Sequence, residues 1–298
     1  MKYVPRSKKW FVVFLVLLIG CHSLQHISSN DENSQNNLEA SLIKDIADGR
    51  LDMTLEEACL IASGVNSAKK LGEYREKMNH LIYLIGRETG IAKTSDPLAK
   101  AQILFDWLQT NANEGTYKDC YDVRNVLNLK IGNCLSYAVR FTVICRYYGV
   151  DVKNIFIPGH IYNLLEINGQ TRDFEHTHSD GIVKKMDKDD PRKRVMKDEE
   201  VVAEIYLYRA RNANNDLRYE ESSKDCRLAL MFNPHDSRFI ILILDNYIAK
   251  KNYHEAFMCL NEYLTRYPDD KKSLQNTYNL LQRLDKKGDN KFWRETTD

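Results

Sequence analysis

The sequence predicts an α+β protein, in which N-terminal helices and a small antiparallel sheet precede a C-terminal all-α repeat array. Apolar residues recur at helical spacing from Leu38 to about Leu108, which indicates amphipathic helices. Two strand-like runs flank Asn168-Gly169, a dipeptide that strongly favours a tight β-hairpin. From about Val201 the sequence repeats with a spacing of 34 residues, a period typical of paired helices.

Length and composition limit the number of domains and the class of protein. The chain has 298 residues, of which 43% are hydrophobic, enough for a buried core in roughly one to three domains. The 43 Lys and Arg residues nearly balance the 42 Asp and Glu residues, so no nucleic-acid partner is predicted. Seven cysteines in a chain of this length are too few for a disulfide-framework mini-protein.

The N-terminus has the parts of an export signal. Residues 1–21 contain an apolar run from Trp10 to Ile19, shorter than the about 20 residues that a membrane span needs. Four basic residues precede the run, which ends in Leu18-Ile19-Gly20-Cys21. This order resembles a bacterial lipoprotein signal peptide. The resemblance implies that Cys21 is lipidated and that the exported chain is anchored to a membrane of the cell envelope.

Two alternatives stay open at the N-terminus: an ordinary signal peptide, and an uncleaved anchor in which Cys21 is incidental. In the lipoprotein interpretation the mature chain begins at Cys21. Residues 22–37 are rich in Ser, Asn, Gln and His and nearly lack apolar side chains. They cannot bury enough surface to fold, so we predict a disordered tether.

Residues 38–180 are predicted to form a helical lead-in followed by a mixed domain. Thr54 and Glu57 have the spacing of a capping box that opens a helix. Cys59 follows within that helix and is interpreted as a small core residue. Apolar residues at helical spacing continue the lead-in at Tyr74, Met78, Leu81, Ile82, Ile103, Leu104, Trp107 and Leu108.

Cys134 lies where a nucleophilic thiol would be activated. A thiol attacks a carbonyl as the thiolate, which a helix N-terminus and a histidine partner both favour. Gly132-Asn133 supplies a turn, and the apolar-periodic run from Leu135 supplies the helix. Cys145, on the buried face of the same helix, has no such setting.

His160 is the candidate partner of Cys134, at the mouth of the predicted hairpin. If Asn168-Gly169 is a two-residue turn, the residue numbers of each cross-strand pair sum to 337, so Tyr162 lies opposite Glu175. Glu175 is then a diagonal neighbour of His160, at about 7–8 Å between backbones. Asp173, the alternative acid, lies about 13 Å away at about 3.3 Å per residue. His176 points to the opposite face. Glu175 is therefore the predicted orienting acid.

Residues 181–200 are rich in Lys, Asp and Arg and are predicted to be a charged linker. From 201 to 298, Tyr219 and Tyr253 are 34 residues apart, as are Pro234 and Pro268. The period, the closing prolines and the small residues at Ala229 and Ala256 resemble the tetratricopeptide repeat, although Tyr263 departs from it. Two units and a final helix from Lys271 to about Asp285 are expected. Cys226 and Cys259 fall on successive second helices, as core thiols or as a disulfide.

Four motifs in this order carry a family resemblance: Leu104-Phe105-Asp106-Trp107-Leu108, Gly132-Asn133-Cys134-Leu135-Ser136-Tyr137-Ala138, Gly159-His160-Ile161-Tyr162-Asn163 and Phe174-Glu175-His176-Thr177. They resemble the transglutaminase-like superfamily over roughly residues 101–180. The resemblance implies a papain-like fold, a helix packed on an antiparallel sheet. It also implies that Cys134 is the nucleophile, His160 the base and Glu175 the acid.

The chain departs from this family at two positions. The acid is commonly Asp and is Glu175 here, and the aromatic residue after the histidine is Tyr162 rather than Trp. No side chain of the motifs is assigned to the oxyanion, for which the backbone amide of Cys134 is the default candidate. The whole chain resembles a bacterial branch that joins such a domain to tetratricopeptide repeats. Many members of that branch have a changed nucleophile, whereas this chain retains the cysteine.

The predicted function is an envelope-anchored cysteine hydrolase or acyl-transferase that acts on peptide or amide bonds and needs no cofactor. The alternative is a catalytically inactive envelope adaptor that binds a protein partner through its repeats. A zinc site formed by His176 and His178 with Cys120 or Cys134 is a minor alternative, because no four-ligand spacing emerges. No metal is therefore predicted.

Overall fold

The computed structural model describes residues 38–113, 115–116, 120–177 and 190–295, with side chains as far as residue 286. The predicted signal peptide (1–21), its Cys21 and the predicted tether (22–37) lie outside the described residues. Among the helices that are described, none combines the length and the apolar character required to cross a membrane.

The part of the chain before the main sheet is mostly helical. Its elements in chain order are α1 (Leu38–Asp45), α2 (Leu55–Ala62), α3 (Ala68–Thr89), α4 (Pro97–Asn111), β1 (Gly115–Thr116), α5 (Val123–Leu129), β2 (Ile131–Gly132) and α6 (Cys134–Tyr147). Single-turn 3₁₀ helices lie at Ile46–Asp48 and Ile91–Lys93. The predicted capping box is confirmed at α2, where the Glu57 N–H donates to Thr54 Oγ1 and the Thr54 N–H donates to Glu57 Oε2, both at 3.3 Å.

The main sheet is small and antiparallel. Its strands are β3 (Lys153–Ile157), β4 (His160–Ile167), β5 (Gln170–Phe174) and β6 (Arg194–Met196), in the order β5-β4-β3-β6. The register of the β4–β5 hairpin is confirmed, since Leu164 pairs with Asp173 and Asn163 with Phe174. Asn168 and Gly169 have φ values of 53° and 76°, both in the left-handed region, as a type I′ turn requires.

Helix α6 is the central element and is buried on two sides. One side packs Phe141 and Ile144 against the sheet residues Leu165 and Phe174. The other side, which includes Leu135 and Val139, shares a core with the helices that follow the sheet. A helix that carries apolar residues around its whole circumference is expected in such a position.

The predicted linker differs from the structure in its last part. Residues 181–189 lie outside the described residues, but 194–196 form the edge strand β6, which pairs with β3. Helix α7 (Asp198–Asn215) then begins directly. Its first turn is acidic, which favours a helix start, and the apolar residues Val201 and Val202 carry it into the core of α6. The high charge of the segment therefore coexists with regular structure.

The C-terminal part of the chain is a helical array. It contains α7, α8 (Tyr219–Phe232), α9 (Ser237–Ala249), α10 (Tyr253–Arg266), a 3₁₀ turn at Pro268–Asp270 and α11 (Lys271–Glu295). Cys226 lies on α8 and Cys259 on α10. Both are free thiols, and Cys226 is fully buried. The described residues from Leu38 onward belong to one compact unit, so the array and the sheet domain do not separate.

Candidate active site

Cys134 is the first residue of α6, and a local hydrogen-bond network determines its position. Asn133 caps the helix by accepting from the Ser136 N–H at 3.1 Å, while the Asn133 N–H donates to Ser136 Oγ at 2.9 Å. Ser136 Oγ in turn donates to the Cys120 carbonyl at 3.0 Å. The thiol is thus placed at the positive end of the helix dipole, with its side chain largely buried at 9% exposure.

Gly132 makes this tight cap sterically feasible. A Cβ atom at Gly132 would lie 2.5 Å from Ser136 Oγ and 2.8 Å from Val126 Cγ2, closer than atoms pack in protein interiors. The glycine before the cysteine is therefore required by packing against the first turn of α6.

His160 opens β4 and contacts Glu175, which follows β5. His160 Nε2 hydrogen-bonds to Glu175 Oε2. The other carboxylate oxygen, Oε1, accepts from the Thr177 N–H at 2.8 Å and from Thr177 Oγ1 at 2.6 Å. Glu175 is 1% exposed, so its charge is compensated by hydrogen bonds and not by water. Asp173 lies within the ladder opposite Leu164, and Glu175 is the acid that reaches the histidine.

The Cys134 side chain also interacts with His160. Because Nε2 faces Glu175, Nδ1 is the ring nitrogen available to the sulfur. Burial lowers the pKa of His160, but hydrogen bonds and charge interactions with Cys134 and Glu175 outweigh burial and raise it to about 10. Burial raises the pKa of Glu175, yet His160 and Thr177 lower it overall. The arrangement favours a charged imidazolium beside the buried Glu175 carboxylate.

The sequence did not identify Tyr208. This residue of α7 packs against the core cluster that contains Cys134, and its hydroxyl interacts with the Cys134 side chain. The Tyr208 ring stacks on Tyr121 with 5.6 Å between ring centroids and 15° between planes. A weak signal existed in the sequence, because Glu204, Tyr208 and Arg211 follow helical i, i+4 and i+7 spacing and so share one face of the helix.

A cleft of about 620 Å³ leads to this constellation. His160 and Tyr208, whose side chains interact with Cys134, both line it. Its walls combine the β3–β4 turn, β6, α7 and the start of α9, with these charged residues: Arg192, Arg194, Glu200, Glu204, Arg211, Asp236 and Arg238. The volume lies within the range of ligand pockets, about 300–1,000 Å³. Substrate therefore has a route to the histidine.

A second polar cluster lies buried behind the site. His176 Nε2 donates to Asn163 Oδ1 at 2.7 Å, and Asn163 Nδ2 donates to Thr142 Oγ1 at 2.9 Å and to Asn154 Oδ1 at 3.0 Å. Burial lowers the pKa of His176 to about 3, so the ring is neutral. This cluster joins α6 to β3 and β4 and has a structural role.

The other cysteine and histidine candidates do not join the site. Cys145 is fully buried, and burial raises the pKa of its thiol well above the usual range, as expected for an inert core cysteine. His178 of the zinc alternative lies outside the described residues. Within the described ranges, no group of three or more His, Cys, Asp or Glu side chains is placed to hold a metal ion.

Comparison with known families identifies the class of this domain. Residues 86–163 match the model of the transglutaminase-like superfamily, so the chain contains a transglutaminase-like domain. The matched range includes Cys134 and His160, whereas Glu175 and Tyr208 lie beyond it. Comparison of the chain with curated proteins and with solved structures found no match.

Proposed function

We propose that this protein is a cysteine hydrolase or acyl-transferase that acts on peptide or amide bonds through Cys134, His160 and Glu175. The observation that carries the proposal is the continuous chain of contacts from Glu175 through His160 to a thiol at a helix N-terminus. This combination provides a base, an orienting acid and a helix dipole, which together stabilise a thiolate. The transglutaminase-like domain supports cysteine-based chemistry of this kind.

The proposed reaction uses each group in turn. His160 holds the proton taken from the thiol, and the Cys134 thiolate attacks the substrate carbonyl carbon to form a tetrahedral intermediate. On its collapse the carbon–nitrogen bond breaks, and the His160 imidazolium gives its proton to the leaving amine. Water or a second amine then attacks the resulting thioester, with His160 as the base, and the thiolate is released. Glu175 orients the His160 ring and stabilises its positive charge throughout the reaction.

The rate of iodoacetamide labelling at Cys134, followed by peptide mass spectrometry from pH 5 to pH 9, tests the proposal. We expect labelling at pH 6–7 to be faster than that of a free model thiol, because a histidine partner and a helix N-terminus both favour the reactive thiolate. The His160→Ala variant should lose this advantage, whereas His254→Ala, an exposed histidine bonded to Asp285 in the array, should retain it. Labelling no faster than the model thiol contradicts an activated nucleophile.

We also propose that the chain is exported and lipid-anchored through Cys21, so that the enzyme acts at the cell envelope. The order of basic, apolar and small residues before Cys21 supports this proposal. Metabolic incorporation of an alkyne fatty acid into the full chain, compared with a Cys21→Ala variant, tests it. Equal incorporation into both chains, or none into either, contradicts the anchor.

The adaptor is the second candidate function, and the helical array supports it. Helices α8 and α10 begin at Tyr219 and Tyr253, at the spacing from which we propose tetratricopeptide-like repeats. The array also exposes large apolar side chains, with Met258 at 54% and Leu280 at 44%, which are suited to a protein partner. If Cys134 labels no faster than the model thiol, the adaptor becomes the preferred function.

A further inference from the structure

Tyr208 is brought to the candidate active site by the helical array. Its side chain interacts with that of Cys134 and lines the same cleft as His160, although α7 begins only at Asp198 and thus follows the matched domain of residues 86–163. The sulfur therefore faces two side-chain groups from different parts of the chain: the His160 ring from the sheet and the Tyr208 hydroxyl from the array.

The position of the Tyr208 ring is tied to the cap of α6. Tyr208 stacks on Tyr121, and the preceding residue, Cys120, accepts hydrogen bonds at its carbonyl from the Asn133 N–H at 3.0 Å and from Ser136 Oγ at 3.0 Å. The segment that supports the ring is thus bound to the turn that presents Cys134. Burial raises the pKa of Tyr208, as does the adjacent Cys134, so the hydroxyl keeps its proton and acts as a donor.

We propose that Tyr208 is a catalytic residue that donates its hydroxyl hydrogen bond to the oxyanion formed when Cys134 attacks a carbonyl. The backbone N–H of Cys134, at the first helical position and without an intrahelical acceptor, supplies a second donor. The oxyanion lies two bonds from Sγ. A donor already within hydrogen-bond reach of Sγ can therefore transfer its bond to that oxygen by a small rotation.

This inference rests on the proposed cysteine chemistry and makes a separate claim. A group that stabilises an oxyanion matters only for attack on a carbonyl. Alkylation by iodoacetamide displaces iodide at a saturated carbon and forms no oxyanion, so it reports the thiolate alone. Acylation by p-nitrophenyl acetate forms a bond from Sγ to the carbonyl carbon, passes through an oxyanion and expels p-nitrophenolate. The two probes thus separate the role of Tyr208 from that of His160.

The experiment measures both rates at Cys134 in the full chain and in Tyr208→Phe. We expect the acylation rate to fall about 10²-fold, as for loss of one oxyanion donor, while the alkylation rate stays close to that of the native protein. The matched control is Tyr206→Phe on the same helix, whose ring instead stacks on Phe232 and which should change neither rate. Thermal unfolding of each variant verifies that it is folded.

Several outcomes overturn the inference. An unchanged acylation rate in Tyr208→Phe means that the hydroxyl does not contribute to catalysis, and an increased rate means that it obstructs the cleft. Equal losses in acylation and alkylation mean that Tyr208 acts on the sulfur and not on the oxyanion. These results differ from a failure of the proposed function, in which Cys134 of the native protein is no more reactive than a free thiol toward either probe.

Discussion

At the scale of single residues, the position of Glu175 one residue beyond the end of β5 decides which acid meets His160. A residue within the ladder, such as Asp173, is held by the register opposite Leu164. Glu175 has left the ladder, so its carboxylate can accept from both Thr177 donors and still reach the histidine ring. The Glu175 side chain therefore reaches the histidine from a position outside the ladder.

Replacing Glu175 by Gln should lower the rate of Cys134 alkylation at pH 7 by roughly 10- to 100-fold, because the imidazolium loses its buried counter-charge. Asp173→Asn is the matched control, since it changes the alternative acid and leaves the His160 contact in place. Mass-spectrometric labelling of both variants at several pH values checks this. Equal effects of the two substitutions would show that Glu175 does not orient His160.

The shifted pKa of His160 predicts a particular dependence of stability on pH. Its pKa rises from 6.5 to about 10 in the folded protein. Interactions of the charged ring therefore stabilise the fold fully below about pH 6.5, and this contribution disappears as the pH rises through 10. The free energy of unfolding in urea should differ most between the native protein and His160→Gln near pH 6.5, and the difference should shrink toward pH 10. A difference that is constant over this range contradicts the charged pair.

At the scale of elements, the start of α6 positions Cys134, the proposed nucleophile, and Gly132 is its most constrained residue. We expect Gly132→Ala to destabilise the protein by about 1–3 kcal/mol, because the added Cβ must displace Ser136 Oγ or Val126. The substitution should also slow Cys134 alkylation through loss of the cap.

Gly72 offers the matched control for that substitution. It lies within α3, and a Cβ there would have no atom within 4 Å, so Gly72→Ala should stabilise the protein by about 0.5–1 kcal/mol through helix propensity. Urea unfolding of the two variants measures both effects. Similar free energies of unfolding for the two substitutions would show that the α6 cap tolerates a side chain before Cys134.

At the scale of the whole molecule, the helical array and the sheet domain share one core. Val201, Val202 and Ile205 of α7 belong to the same buried cluster as Leu135 and Val139 of α6. The ion pair between Arg146 and Asp198, at 2.6 Å, joins the end of α6 to the start of α7. Removal of the array would expose the apolar side of the helix that carries Cys134.

A chain that ends at residue 189 should therefore lose the cooperative unfolding transition, whereas a chain that ends at residue 270 should keep it with a lower midpoint. The first deletion uncovers α6, and the second removes only α11 with its buried Leu274 and Leu281. Thermal unfolding followed by circular dichroism compares the two. A normal transition in the shorter chain would show that the domains fold independently.

The features that depend on local chemistry were predictable from the sequence. The capping box at Thr54, the Asn168-Gly169 turn and the register that follows from it depend on residues close together in the chain, and all three are confirmed. That register led to Glu175 as the neighbour of His160. The 34-residue spacing of Tyr219 and Tyr253 likewise recurs in the structure, where these residues begin α8 and α10.

The remaining features required the tertiary structure, because they join segments far apart in sequence. Strand β6 has too few residues and too much charge to be recognised as a strand, and it exists because β3 offers an edge. Tyr208 meets Cys134 only because α7 packs on α6 through apolar residues. Local periodicity can specify which face of α7 is buried, but it does not specify the element against which that face packs. Tertiary packing selects α6, and this brings the Tyr208 hydroxyl to the Cys134 sulfur.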